Sequence, residues 1–88
     1  MATIETCNNW ANYQTWNAAS HIGNNEFLHN TAKACVIYCG DNETPWVKFV
    51  RCMTEGQIGQ MLGETTDGVR WDDTRIDAAA MVAMMIEL

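Results

Sequence analysis

Apolar residues recur at helical spacing in four parts of this chain, and each part follows a residue that favours the start of a helix. The first part begins after Asn12, a preferred N-cap because its side-chain oxygen accepts a hydrogen bond from a free backbone N–H. Apolar side chains then recur every three residues, at Tyr13, Trp16, Ala19 and Ile22. The spacing predicts a helix that ends near Ile22, with the two aromatic rings as core anchors.

A second helix is predicted after the turn Gly23-Asn24-Asn25, in which glycine stops one helix and Asn25 caps the next. Its apolar stripe consists of Leu28, Ala32, Cys35 and Cys39. Gly40 ends it, because glycine is the usual residue just past the end of a helix. The first two helices are therefore expected to form a tight pair.

Thr44-Pro45 is the clearest helix start, because Thr is a good N-cap and the missing N–H of Pro costs nothing at the first helical position. The apolar stripe of this third helix consists of Trp46, Phe49, Val50 and Met53. Beyond it, glycines at 56, 59 and 63 bound one short helix. Its apolar residues are expected to be buried; they are Ile58, Met61 and Leu62.

The Asp67-Gly68 turn lies among β-favouring residues at 65–71, where a plain loop is favoured over a small β-hairpin. Asp77 then caps a final helix that continues to the C-terminus. Together these signals predict an all-α fold, a small bundle of four to five short helices. We expect one domain over residues 1–88, in which residues 1–11 form an irregular N-terminal segment.

The charge of the chain is negative and unevenly distributed. The formal net charge of the 88 residues is −6, of which −5 falls on residues 54–88. Phosphate backbones repel a negative protein, and nucleic-acid binding depends on Lys and Arg. Direct nucleic-acid binding is therefore disfavoured, whereas mimicry of nucleic-acid phosphates by the acidic half is a minor alternative.

The sequence predicts neither export nor membrane insertion. The N-terminus lacks the basic start and apolar stretch of a secretory signal. The longest apolar run, residues 78–86, is about half the length of a membrane-spanning helix. We therefore expect a cytoplasmic protein, in which the four cysteines, Cys7, Cys35, Cys39 and Cys52, are thiols.

No pattern of catalytic or metal-binding residues stands out. The only closely spaced cysteines are Cys35 and Cys39, so a zinc-binding module is a minor alternative. His21 and His29 form no recognisable arrangement with a nucleophile. The acids between 67 and 77 lack the spacing of a calcium loop. The sequence predicts no enzyme, no cofactor and no metal.

Two regions of the chain are candidates for binding a partner. The acidic stretch before the last helix is one, and the Met-rich stripe of that helix is the other, although such a stripe is more often core than interface. The candidate residues are Asp67, Trp71, Asp72, Asp73, Asp77, Met81, Met84 and Met85. The Met-rich helix leaves a homodimer or a homo-oligomerising assembly protein as the alternative function.

The string Asn12-Tyr13-Gln14-Thr15-Trp16-Asn17 and the segment Asp67-Gly68-Val69-Arg70-Trp71-Asp72-Asp73 carry a resemblance. They resemble a group of small, largely uncharacterised proteins of tailed phages and mobile elements with an N-Y-E-T-W-N motif. The chain departs from that pattern at Gln14, where an acid is usual, and at Ser20 and His21, where larger apolar residues are usual.

The resemblance implies a phage-type accessory protein in the cytoplasm of an infected host cell. The small size of the chain, its acidity and the absence of a recognisable catalytic pattern favour the hypothesis that it binds a host protein and modulates or inhibits it. An anti-defence role, such as that of an anti-CRISPR protein, is one form of this hypothesis. Nothing in the residues identifies the host protein.

Overall fold

The computed structural model describes residues 10–88, and this part of the chain contains five helices and no strand. In chain order they are α1 (Tyr13–Asn24), α2 (Glu26–Tyr38), α3 (Pro45–Thr54), α4 (Gly56–Leu62) and α5 (Ala78–Ile86). The all-α prediction is confirmed. Of the irregular segment predicted for residues 1–11, residues 1–9 lie outside the described part.

Four helices begin where the capping residues predicted. The side-chain oxygens of Asn12, Asn25, Thr44 and Asp77 each accept a hydrogen bond from the backbone N–H three residues later, at 2.8–3.2 Å. Each cap stabilises its helix by about 1 kcal/mol. The end of the first helix, predicted near Ile22, lies two residues later: α1 continues to Asn24, and the extended backbone of Asn25 ends it.

Three aromatic rings form the centre of the core. Trp46 and Phe49 stack on the same face of α3 with ring centroids 5.5 Å apart. Trp71, from the segment between α4 and α5, packs edge-on against both, at 6.4 Å and 5.2 Å. Its indole N–H donates to the carbonyl oxygen of Leu62 at 2.8 Å. A residue from a non-helical segment therefore completes the core and ties it to the end of α4.

The last helix uses its methionine stripe to face the core. Met81 and Met85 are buried, and α5 packs against α1, α2 and α3. Met84, Val82 and Leu88 are half-buried at the edge of the core, whereas Ile86 is exposed. Of the two interpretations of the Met-rich stripe, core or partner interface, the structure favours the core. The apolar surface that α5 leaves exposed is narrower than its sequence suggests.

The buried face of α1 includes Ala19 and Ile22 of the predicted stripe but not its two aromatic residues. It consists of Thr15, Asn17, Ala18, Ala19 and Ile22. Tyr13 is exposed and Trp16 half-buried, with their ring centroids 5.6 Å apart, so the prediction that both rings anchor the core is wrong. The small side chains let α1 pack closely, and the buried polar ones form hydrogen bonds described below.

Helix α4 contributes no buried side chain, which corrects the expected burial of its apolar residues. Among the described helices it packs only against α3. The corner between these helices is tight, because a Cβ at Gly59 would collide with the carbonyl oxygen of Thr54. The apolar residues left exposed are Ile58, Met61 and Leu62.

The 65–71 segment is a tight turn with one antiparallel bridge, between Glu64 and Arg70. Thr65 N–H donates to the carbonyl oxygen of Val69 at 2.8 Å, and Gly68 supplies the positive φ of 88° that the turn requires. The pairing stops at this bridge, so the segment has the path of a hairpin without forming strands.

The methionine stripe of α5 gives a direct test of the core. We expect Met85→Ala to lower the free energy of unfolding by about 2–5 kcal/mol, because it removes most of a side chain that is 1% exposed and leaves a cavity in the core. Its neighbour Ile86 is 61% exposed, so Ile86→Ala should change that free energy by less than about 0.5 kcal/mol. Urea unfolding measures both, and equal effects would contradict the assigned orientation of α5.

Candidate functional site

Asn17 is the centre of a polar cluster that joins α1 to the 65–71 turn. Its buried side-chain amide donates to Asp67 Oδ2 at 2.7 Å, and its Oδ1 accepts from the Thr65 hydroxyl at 2.7 Å. The Thr65 Oγ1 atom in turn accepts from the backbone N–H of Val69 at 3.2 Å. Asn17 thus holds the turn in place through both of its polar atoms.

A second set of hydrogen bonds joins the start of α1 to the start of α5. Asn12 Nδ2 donates to the carbonyl oxygen of Arg75 at 2.6 Å. The Thr15 hydroxyl donates to Asn12 Oδ1 and accepts from the backbone N–H of Asp77, both at 2.8 Å. With the Asn17–Asp67 hydrogen bond, these contacts tie the Asn12–Asn17 string to the Asp67–Asp73 segment and to the residues that follow it, which gives the string a structural role.

His21 extends the Asn17 cluster towards the surface. Its Nε2 lies 3.0 Å from Asp67 Oδ2. The hydrogen bonds from His21 and Asn17 hold the pKa of Asp67 below its ordinary value, because both stabilise the carboxylate. Asp67 is therefore a carboxylate at neutral pH, and half of its side chain is exposed.

Next to this cluster lies a groove of about 280 Å³, which we call the Phe27–Leu62 groove. Buried apolar side chains form its floor: Leu28, Met53 and Trp71. Phe27 and Leu62, which are 53% and 39% exposed, are its apolar walls. The polar residues that line it are His21, Asn25, Glu64, Thr65 and Thr66.

The groove has the composition of a binding site, an apolar interior with a few polar groups at fixed positions. Its volume lies just below the range of about 300–1,000 Å³ for small-molecule pockets, so it suits one or two side chains of another protein. Four helices and the 65–71 turn contribute to it, and the Asn17 cluster fixes the turn. The site is therefore preformed.

A larger groove of about 780 Å³ runs along α5, where Met84 lines it together with Ala80 and Ala83. It is bordered by Trp10, the first residue that the structure describes. Because Trp10 is the first described residue and forms one edge of this groove, we assign no site to it.

Three of the eight candidate partner-binding residues are buried. Met81 and Met85 are core residues, and Trp71 reaches only the floor of the Phe27–Leu62 groove. These side chains cannot provide the main contact surface for a partner in this fold. Met84 is half-buried in the other groove.

The four acidic candidates each have a partner within the chain. Asp72 pairs with Arg70 at 2.9 Å, and Asp73 pairs with Arg75 at 2.8 Å, an ion pair that lowers the pKa of Asp73 to about 2. Asp77 caps α5, and Asp67 belongs to the Asn17 cluster. Because Asp72 and Asp73 carry their own counter-charges, the stretch offers fewer unpaired negative charges than its composition suggests. Of the four, Asp67 is the one bonded to residues that line the Phe27–Leu62 groove.

The described cysteines, Cys35, Cys39 and Cys52, are free thiols, and Cys7 lies outside the described residues. Burial raises the pKa of Cys35 to about 11, and the neighbouring Cys52 adds to this. Within residues 10–88, no group of three His, Cys, Asp or Glu side chains is placed to hold a metal ion. None of the helices described is long and apolar enough to cross a membrane.

Sequence reasoning missed the walls of the groove. Phe27 stands beside the Leu28 stripe on α2, and this offset was the available signal that its ring faces away from the core. Leu62 ends a helix bounded by glycines, and no periodicity over seven residues indicates which side is buried.

Comparison with known proteins assigns the chain to a family without assigning an activity. The chain belongs to a family of unknown function, DUF7249, whose family model matches residues 3–88. No curated protein and no solved structure matches the chain. The family match includes both motif segments, so the hydrogen bonds between them lie inside the region that defines the family.

Replacing Asn17 tests whether the polar cluster holds the turn. We expect Asn17→Ala to lower the free energy of unfolding by about 1–3 kcal/mol, because Thr65 loses its buried hydrogen-bond partner. Asn24→Ala, at an exposed position at the end of the same helix, is the matched control and should cost less than about 0.5 kcal/mol. Thermal or urea unfolding measures both, and a neutral Asn17→Ala would contradict this role.

Proposed function

We propose that this member of DUF7249 is a binding protein that docks on a host protein and modulates or inhibits it. The observation that carries the proposal is the Phe27–Leu62 groove, a preformed apolar site with exposed apolar walls. The resemblance of the two motif segments to phage proteins supports a host partner. Inhibition of a host defence system, including a CRISPR system, is one form of this function.

The energetics of the groove favour a protein partner. Phe27 and Leu62 keep much of their apolar surface in water, and complete burial of such a side chain contributes about 1.5–3 kcal/mol. Helix α4 adds the exposed side chains of Ile58 and Met61. Exposed apolar residues around a polar-rimmed depression are typical of protein interaction sites.

The polar groups beside the groove support binding rather than catalysis. The Thr65 hydroxyl donates to Asn17 Oδ1, so its proton is already engaged in a hydrogen bond within the chain. His21 contacts Asp67, whose other hydrogen bond comes from Asn17. These contacts fix the shape of the groove, and they do not arrange a base next to a nucleophile as covalent catalysis requires.

A pair of exposed apolar residues tests the groove as the docking surface. The tagged chain is used to capture host proteins from lysate, and the captured partner is identified by mass spectrometry. We expect Phe27→Ser to weaken binding of that partner by about tenfold or more, because it removes a wall of the groove. Val47→Ser is the control, since Val47 is 49% exposed on α3 and lies outside the groove.

Two results would contradict the proposal. One is the absence of any captured protein above the background of an unrelated acidic domain. The other is a partner that binds the Phe27→Ser variant as tightly as the unaltered chain while both variants remain folded by circular dichroism.

Homo-oligomerisation remains a second candidate, and a specific surface favours it. Ile37 and Ile86 are exposed and line one shallow depression of about 190 Å³ between α2 and α5, and Tyr38 is exposed next to Ile37. This surface differs from the methionine stripe, which faces the core. If two copies meet here, light scattering over a concentration series should show a dimer that Ile37→Ser with Ile86→Ser converts to monomer. A strictly monomeric unaltered chain would exclude this candidate.

A further inference from the structure

The Phe27–Leu62 groove combines an apolar interior with negative charge. Glu64 lines the groove, and Asp67 contacts His21 and Thr65, which also line it. Glu26 immediately precedes Phe27 in the first turn of α2 and is exposed. One carboxylate therefore lines the groove, a second is on a residue that is hydrogen-bonded to two lining residues, and a third belongs to the residue before Phe27.

Within the described chain, no Lys or Arg forms an ion pair with these three carboxylates. Arg70 lies near Glu64, but its guanidinium donates to both carboxylate oxygens of Asp72, at 2.9 and 3.4 Å. None of the residues that line the groove is Lys or Arg. In this respect the groove differs from Asp72 and Asp73, because each of those two carboxylates pairs with an Arg two positions away.

From this charge distribution we infer that the groove binds a basic segment of the partner, in which Arg or Lys stands next to an apolar residue. The inference rests on the proposed function and specifies its partner. The apolar side chain packs between Phe27 and Leu62, and the cation lies against Glu64. The aliphatic part of a Lys or Arg side chain also packs well on apolar walls while its charged end reaches a carboxylate.

Alternative occupants fit less well. An acidic segment would meet carboxylates with no Lys or Arg among the lining residues, and like charges in an interface oppose association. A wholly apolar segment would cover Glu64 without replacing the water that solvates it. A basic segment avoids both costs, and the net charge of −6 favours its approach.

The test uses random peptides displayed on a surface and selected on the immobilised, full-length chain. Selected peptides are synthesised, and their affinities are measured by fluorescence polarisation. We expect the selected peptides to share an Arg or Lys beside an apolar residue. Replacing that cation by Gln, or Phe27 by Ser in the protein, should weaken binding by about tenfold or more.

A matched pair of protein variants isolates the charge. Glu64→Gln should weaken binding of the selected peptides by about three- to fivefold at low salt, and reduce the salt dependence of the affinity. Glu87→Gln removes the same charge at the end of α5, outside the groove, and should leave the affinity unchanged.

The outcomes separate this inference from the proposed function. Selected peptides that bind Phe27→Ser more weakly and yet lack a cation would contradict the inference of a basic partner and would still support the groove as a binding site. The same holds if they bind Phe27→Ser more weakly but bind Glu64→Gln as tightly as the unaltered chain. Peptides that bind Phe27→Ser as tightly as the unaltered chain, or a selection that enriches nothing, would overturn both.

Discussion

Trp71 links the core, the non-helical segment and the groove. Its ring packs against Trp46 and Phe49, and its indole N–H donates to the carbonyl oxygen of Leu62. A domain of this size has a small core, and all three rings are buried in it. The same ring forms part of the floor of the groove and bonds to the end of α4, so the shape of the groove depends on a core residue.

The second constraint is the burial of polar side chains on α1. Thr15 and Asn17 lie in the interior, where an unpaired polar group is costly. Their partners come from the segment between α4 and α5, about 50 to 60 positions later in the chain. The Asn12–Asn17 string and the segment between α4 and α5 are therefore one hydrogen-bonded unit. In this unit Thr15 and Asn17 are buried, whereas Tyr13 is exposed and Trp16 is half-buried.

These two constraints together leave an acidic, apolar groove at the surface. Because Asn17 fixes the turn that carries Asp67, the carboxylate lies beside the groove instead of pairing with Arg70 or Arg75. Because α4 packs only against α3 among the described helices, its apolar residues remain available to another molecule. The features that support a binding function are thus consequences of how the interior is assembled.

By itself, the sequence determined the helix starts and the fold class. Asn12, Asn25, Thr44 and Asp77 cap their helices through contacts three residues away, so local chemistry is sufficient to predict them. The core stripe of α3 was predicted for the same reason, since Trp46, Phe49 and Met53 recur at the helical period and are buried.

Only the tertiary structure decided which faces are buried. The apolar spacing on α1 correctly predicts that Ala19 and Ile22 are buried, but Thr15 and Asn17, which bond to a distant segment, are buried in place of Tyr13 and Trp16. The width of the apolar surface on α5 does not show that Met81 and Met85 face inward, because that depends on α1, α2 and α3 being present. The exposure of Leu62 and Phe27 likewise depends on which helices reach them, and such contacts between distant residues leave no periodic signal in a single sequence.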